Sequence, residues 1–165
     1  MKDFIYCQHD IPKEQWRYGF RSSSITGCGW IATYNALLIL GKEVAPEKLI
    51  RFYERQFPLI NGNTGTFLFS PVIFFKRHGY HVHYTALLSS FDQVVEESDV
   101  CILYYWWHGK WKLGAHFVAL HKKENRIIGY NTYRTSKGPD VYGVSLQKFL
   151  KQRKYFGCVL IGIKR

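Results

Sequence analysis

Residues 28–41 are apolar around almost the whole circumference of a helix, with Trp30, Ile31, Ala32, Ala36, Leu37, Leu38, Ile39 and Leu40 leaving no broad stripe for water. Such a helix cannot lie on a surface, so the rest of the chain has to cover it. The run is too short to cross a bilayer, which takes roughly 20 apolar residues. Gly41 stands where helices commonly stop. A chain of 165 residues is long enough to bury a core around one central helix. The cover is available, since 47% of the chain is hydrophobic and 18% aromatic, a composition that argues against disorder.

The pattern changes character half-way along. The first 26 residues read as irregular, with Gly19 and Ser22-Ser23-Ser24 as turn formers. After the central helix, Pro46 opens a second helix to about residue 57. The Asn61-Gly62-Asn63 turn then leads to a third over 66–78, ended by Gly79. Alternation predicts a strand over 80–84, followed by a short helix over 89–97. Three strands come next, 100–106, 115–122 and 126–131, the last two joined by Lys123-Glu124-Asn125 as a hairpin. A helix at 145–152 and a strand at 157–163 close the chain. Helices first and a mostly antiparallel sheet afterwards is the α+β class. With no repeat or linker to divide it, 1–165 is read as a single domain. The start has no signal-peptide pattern, so a cytoplasmic location is expected.

Four cysteines are spread without a C-x-x-C pair, which excludes zinc ribbons and thioredoxin-type chemistry. Cys101 and Cys158 lie in apolar strand-like runs and read as small buried hydrophobes. Cys28 is placed differently. Thr26-Gly27-Cys28-Gly29-Trp30 puts it in the first turn of the central helix, where unpaired N–H groups and the helix dipole favour a thiolate. Gly27 and Gly29 add no side chain to obstruct a substrate, and the Cys28 N–H is a candidate oxyanion donor. Packing alone could also select a Gly-Cys-Gly turn before a core helix, so the reading depends on partners. His116 opens an apolar strand, Gly114-Ala115-His116-Phe117-Val118, and would be the imidazole that takes the thiol proton and returns it to a leaving group. Asn131 ends the next strand, near the cross-strand neighbour of His116, where its side-chain oxygen would fix the ring.

A cysteine at the start of the central helix, a histidine on a strand and an Asn or Asp on the next strand resemble the papain-like cysteine peptidase superfamily. More narrowly, the chain resembles the bacteriocin-processing-type peptidases of bacteria and their C39-like relatives. Gln8, Asp10, Trp16 and Tyr18-Gly19 precede Gly27-Cys28-Gly29 as in those relatives, and His116-Phe117-Val118 matches their later strand. The resemblance implies a papain-like fold and a peptide or amide bond cleaved through a Cys28 thioester, with His116 as general base and Asn131 as third member. It also makes Gln8 the oxyanion-hole side chain, with Gln15 as rival. Two positions depart from those relatives: Trp30 stands where they commonly have Pro, and Asn131 where they commonly have Asp.

The charge is uneven. Residues 1–107 hold 10 Lys and Arg against 10 Asp and Glu, while 108–165 hold 13 against 2 and so carry the whole excess of +11. One face is therefore expected to meet something acidic, or to be no more than a basic surface. Tyr104-Tyr105-Trp106-Trp107 and Trp111 precede the His116 strand and are expected to divide between core and groove wall. Two alternatives keep the same residues. One is a catalytically silent relative that binds an acidic partner through the basic second half; the other is an acyltransferase using the same triad. No nucleic-acid motif is present, no membrane partner is expected, and no cofactor is expected. His81 and His83 share one side of a strand, but no carboxylate or cysteine nearby completes a metal set.

Overall fold

The structure is a computed structural model that describes residues 3–56, 65–108, 113–153 and 155–165, the side chain of Leu113 excepted. The expected Asn61-Gly62-Asn63 turn and Trp111 lie outside the described residues. The chain enters through a 3-10 turn, Gln8–Asp10, and a small ribbon in which β1 (Arg17–Tyr18) pairs antiparallel with β2 (Arg21–Ser22). A one-turn helix, α1 (Ser23–Thr26), follows, its first turn capped by the Ser22 hydroxyl accepting from the Ser24 N–H at 3.3 Å. Only Gly27 separates it from the central helix α2 (Cys28–Ile39).

Helix α2 is buried along nearly its whole length, as its all-round apolar surface requires. Gly41 takes a φ of +71° just beyond it, and the Lys42 N–H returns to the Leu37 carbonyl at 2.8 Å, closing the helix as expected. Asn35, buried on the same helix, holds the N-terminal segment by accepting from the Ile5 N–H (3.0 Å) and donating to the Ile5 carbonyl (2.9 Å). Helix α3 runs Pro46–Glu54, with proline in the first turn where no N–H is missed. Helix α4 is Ser70–Arg77, shorter at its start than the expected 66–78. Pro71 explains the difference, because it sits well in a first turn and poorly one turn further in.

The second half supplies the sheet. Strand β3 (His81–Thr85) is followed by a 3-10 turn at Leu88–Ser90 and α5 (Phe91–Glu97). Then come β4 (Val100–His108), β5 (Leu113–Lys123), β6 (Arg126–Tyr130), β7 (Asp140–Gly143), α6 (Leu146–Lys151) and β8 (Gly157–Lys164). Among the described residues these strands form one six-stranded sheet in the order β3-β8-β4-β5-β6-β7, antiparallel at each junction. The architecture is α+β. The hairpin expected from 115–122 and 126–131 is the β5–β6 pair, turned at Glu124, which takes a φ of +55°.

Strand alternation sends side chains to two cores. On one face Phe117, Ala119, Ile102 and Ile161 pack with α2, α3 and α4; on the other Val118, Leu120, Leu103 and Leu160 pack with α5 and α6. The aromatic run splits the same way, Tyr104 and Trp106 toward α2 and Tyr105 toward the opposite core. Among the described residues no helix is long and apolar enough to cross a membrane.

Candidate active site

Helix α2 delivers Cys28 to β5 at a place where that strand has a free edge. Strand β6 pairs with β5 only from Ala119 onward and ends at Tyr130, so among the described residues no strand pairs with the start of β5 on that side. The Cys28 sulfur sits there, 8% exposed as a residue, with the N–H groups of Phe117, Gly29 and Cys28 itself directed at it. The first turn of a helix leaves such N–H groups without intrahelical partners. They favour a thiolate, as the sequence suggests, but burial outweighs them and pushes the Cys28 thiol up to about 11. Cys28 is therefore a neutral thiol at neutral pH rather than the expected thiolate.

His116 is the residue next to Phe117, and by alternation its ring points to the other face of β5. There it meets its cross-strand neighbour Tyr105 edge-on, ring centroids 5.9 Å apart. The ring's Nε2 lies 2.6 Å from the backbone carbonyl of Asn131. A carbonyl can only accept, so Nε2 carries the proton and Nδ1 is left as the basic nitrogen. Burial holds His116 down to about 4, against a smaller upward pull from the Asn131 carbonyl, so the imidazole is neutral as well. Among the described residues no hydrogen bond joins Cys28 to His116.

Asn131 and Gln8 come together beside that ring, in an arrangement the sequence does not reveal. The Asn131 side chain faces Gln8 and not His116: its Oδ1 accepts from the Gln8 backbone N–H at 2.8 Å, and its Nδ2 donates to Gln8 Oε1 at 3.4 Å. The Gln8 amide in turn donates to the carbonyls of Ser24 and Ile25, at 3.3 and 3.2 Å. The pair thus ties the end of β6 to α1, the turn that leads into Cys28. Gln15 is exposed and lies in a separate surface groove with Asp3 and Lys137.

A cavity of about 560 Å³ opens over this region, walled in part by Gln8, Thr26, His116, Asn131, Tyr105 and Trp107. Cys28, itself buried, is not among the residues that line it. Trp30 is fully buried, donates its indole N–H to Ser23 Oγ at 3.1 Å, and takes no part in the cavity, so it does not narrow it. Gly27 and Gly29 answer to packing rather than to substrate access. A Cβ at Gly27 would meet the Ser23 carbonyl at 2.5 Å, and one at Gly29 would meet Thr66 Oγ1 at 2.4 Å. Arg134 and Arg153 also line the cavity, and no sequence motif marks them. All four cysteines are free thiols, with Cys101 buried and Cys158 only partly so.

No family model matches the sequence, and no curated protein matches it. Among solved structures, the fold is similar to the peptidase domain of Streptococcus ComA, a bifunctional ABC transporter involved in a quorum-sensing pathway. The two share 12% sequence identity at a TM-score of 0.52, over 82% of this chain and 90% of that domain. The chain thus has an α+β fold similar to that of a known peptidase domain.

Proposed function

We propose that this protein is a papain-like cysteine peptidase, one domain over 1–165, in which Cys28 attacks a peptide or amide carbonyl and His116 acts as general base. The observation that carries the reading is the placement of Cys28 and His116 at adjacent positions along β5, on its two faces. The Cys28 sulfur rests on the Phe117 N–H, one residue along from an imidazole whose tautomer leaves Nδ1 basic. The likeness in fold to a peptidase domain supports it.

The neutral resting pair dictates the order of steps. As Sγ bonds to the carbonyl carbon, the thiol proton passes to His116 Nδ1, and the carbonyl π electrons move onto oxygen. The N–H groups of the first turn of α2 would hold that oxyanion. The C–N bond then breaks, the amine leaves with the proton from Nδ1, and a thioester remains on Cys28. Water, deprotonated by His116, releases the acid and restores the thiol; an amine in place of water would make the enzyme an acyltransferase. For Gln8 to serve the oxyanion, its amide must give up the carbonyl of Ser24 or Ile25. The reading also requires Cys28 and His116 to close on one another once substrate fills the cavity.

A second reading rests on the same pair: a buried neutral thiol with no bond to the imidazole also suits a catalytically silent binding protein. Digestion of a proteome-derived peptide library, read by mass spectrometry, separates the two. The peptidase reading expects new termini from the wild-type protein that vanish with Cys28→Ala and fall at least about a hundredfold with His116→Ala, the usual worth of general-base catalysis. Termini that persist in Cys28→Ala, or no cleavage by the folded wild-type protein, would reject it.

A further inference from the structure

We propose that the cavity beside His116 is a carboxylate-binding site in which Arg134 and Arg153 hold an acidic group of a peptide. Taking the ligand to be a peptide rests on the peptidase reading. The carboxylate site itself rests on the charge and packing of the cavity wall.

Both arginines line the same cavity of about 560 Å³ as His116, and among the described residues no acidic side chain lines it. Among the described residues neither arginine forms an ion pair; the salt bridges there are Lys122–Glu96 and Lys137–Asp10. The nearby carboxylates are engaged elsewhere, Asp10 by Lys137 at 2.9 Å and Asp140 by Ser136 Oγ at 2.6 Å. Arg153 is held in place before any ligand arrives. Its guanidinium lies 4.8 Å from the Phe149 ring centroid and 5.7 Å from that of Tyr133, and it donates to the Tyr133 hydroxyl at 3.0 Å. A planar guanidinium fixed in this way keeps donors for a planar carboxylate and loses little freedom on binding one. The Arg134 charge reaches His9, an exposed residue of the same lining: after burial, it is the next cause that keeps His9 below its ordinary value, against an upward pull from Asp10.

The rim favours a peptide over a polyanion. Ile25 and Trp107 border the cavity with 52% and 38% of their surface exposed, so an apolar side chain can lie beside the acidic one. A nucleic-acid track would continue its positive charge along a backbone path. Among the described residues the lining holds no lysine to extend the charge of the two arginines into such a track.

The test is fluorescence anisotropy on the full wild-type chain, with hexapeptide pools carrying an uncharged dye. One pool has a fixed Glu and an amidated C-terminus, the second a Gln in its place, and the third keeps the Gln but has a free C-terminus. The site predicts that at least one carboxylate pool binds about tenfold tighter than the amidated Gln pool, as one charge-assisted contact allows. The first and third pools tell a side-chain carboxylate from a terminal one. The gap should close in 0.5 M salt and in the Arg134→Gln and Arg153→Gln variants. Equal binding by the three pools would overturn the proposal, and that comparison needs no variant to fold. So would a gap that survives both substitutions, or stronger competition from a thymidine dodecamer than from the Glu pool. A carboxylate preference without cleavage would reject the peptidase reading and leave this site standing; cleavage without the preference would do the reverse.

Discussion

At Asn131 the backbone and the side chain do separate work. The carbonyl fixes the His116 tautomer, the side chain bridges to Gln8, and the residue takes a φ of +63°, the left-handed region that Asn tolerates better than most. Asn131→Gly and Asn131→Ala both lose the bridge, but only Ala meets the left-handed penalty of about 1–2 kcal/mol. Denaturant unfolding should therefore find Asn131→Ala less stable than Asn131→Gly by about 1 kcal/mol, since glycine gives back some of the difference in chain entropy. In both, the ring ¹⁵N shifts of His116 should still report a proton on Nε2, because a backbone group holds it. An Nδ1-protonated ring in Asn131→Gly would return the orienting role to the side chain. The sequence brings Gln8, His116 and Asn131 into one neighbourhood, but the direction of the Asn131 side chain depends on one backbone angle at the end of β6, which no pattern encodes. The Cys28 thiol is a similar case: its position in the first turn is legible, whereas the balance between N–H groups and burial is set by tertiary packing.

Among the elements, α2 and the β5–β6 hairpin are legible because each answers to a strong local signal, an all-round apolar run closed by glycine and two alternating runs across a short turn. Other elements carry no such signal. Helix α1 is one turn of Ser-rich sequence that reads as loop, and β7 is four residues long with Val141 exposed and Gly143 at a φ of +90°. Both exist because neighbours hold them, α1 through the Gln8 amide and β7 through its pairing with β6. The junction of α1 and α2 is a packing joint, and Gly29→Ala tests it. The added methyl would overlap Thr66 Oγ1, Cβ and Cγ2, all within 2.6 Å, so the start of α2 or the 65–66 backbone has to move. Thermal or denaturant unfolding should show a loss of about 1–3 kcal/mol, the usual cost of overpacking. A neutral or stabilising Gly29→Ala would mean that Thr66 gives way and the joint is not tightly packed.

For the molecule as a whole, burying ionisable groups in neutral form makes stability depend on pH from both sides. His116 stays unprotonated down to about 4 in the folded chain, against 6.5 for an ordinary histidine. Below 6.5 the unfolded chain binds a proton that the folded chain refuses, so this contribution is complete above 6.5 and is lost as pH falls toward 4. His9 and His121, also lowered by burial, add to the same limb. Cys28 and Cys101 are raised from about 9 to about 11 and 12, so their contribution is complete below 9 and is lost as pH rises past it. Buried Tyr53 and Tyr105, raised further, act in the same direction. Urea midpoints should therefore peak between about pH 7 and 9, and His116→Gln should flatten the acid limb in particular. An acid limb unchanged by His116→Gln would mean that the ring is not buried neutral.

The central claim, a buried neutral Cys28 that His116 activates only around a bound peptide, is tested most directly by comparing two electrophiles on the intact protein. Iodoacetamide needs no binding site, so at pH 6 it should label Cys28 slowly, as expected for a thiol held up at about 11. A pool of peptidyl acyloxymethyl ketones should label Cys28, and no other cysteine, at neutral pH. His116→Ala should slow that second reaction at least about a hundredfold without changing the first. Rapid iodoacetamide labelling at pH 6 would contradict the neutral pair. Peptidyl labelling that ignores His116→Ala, or that falls on Cys7 or Cys158 in place of Cys28, would contradict the enzyme.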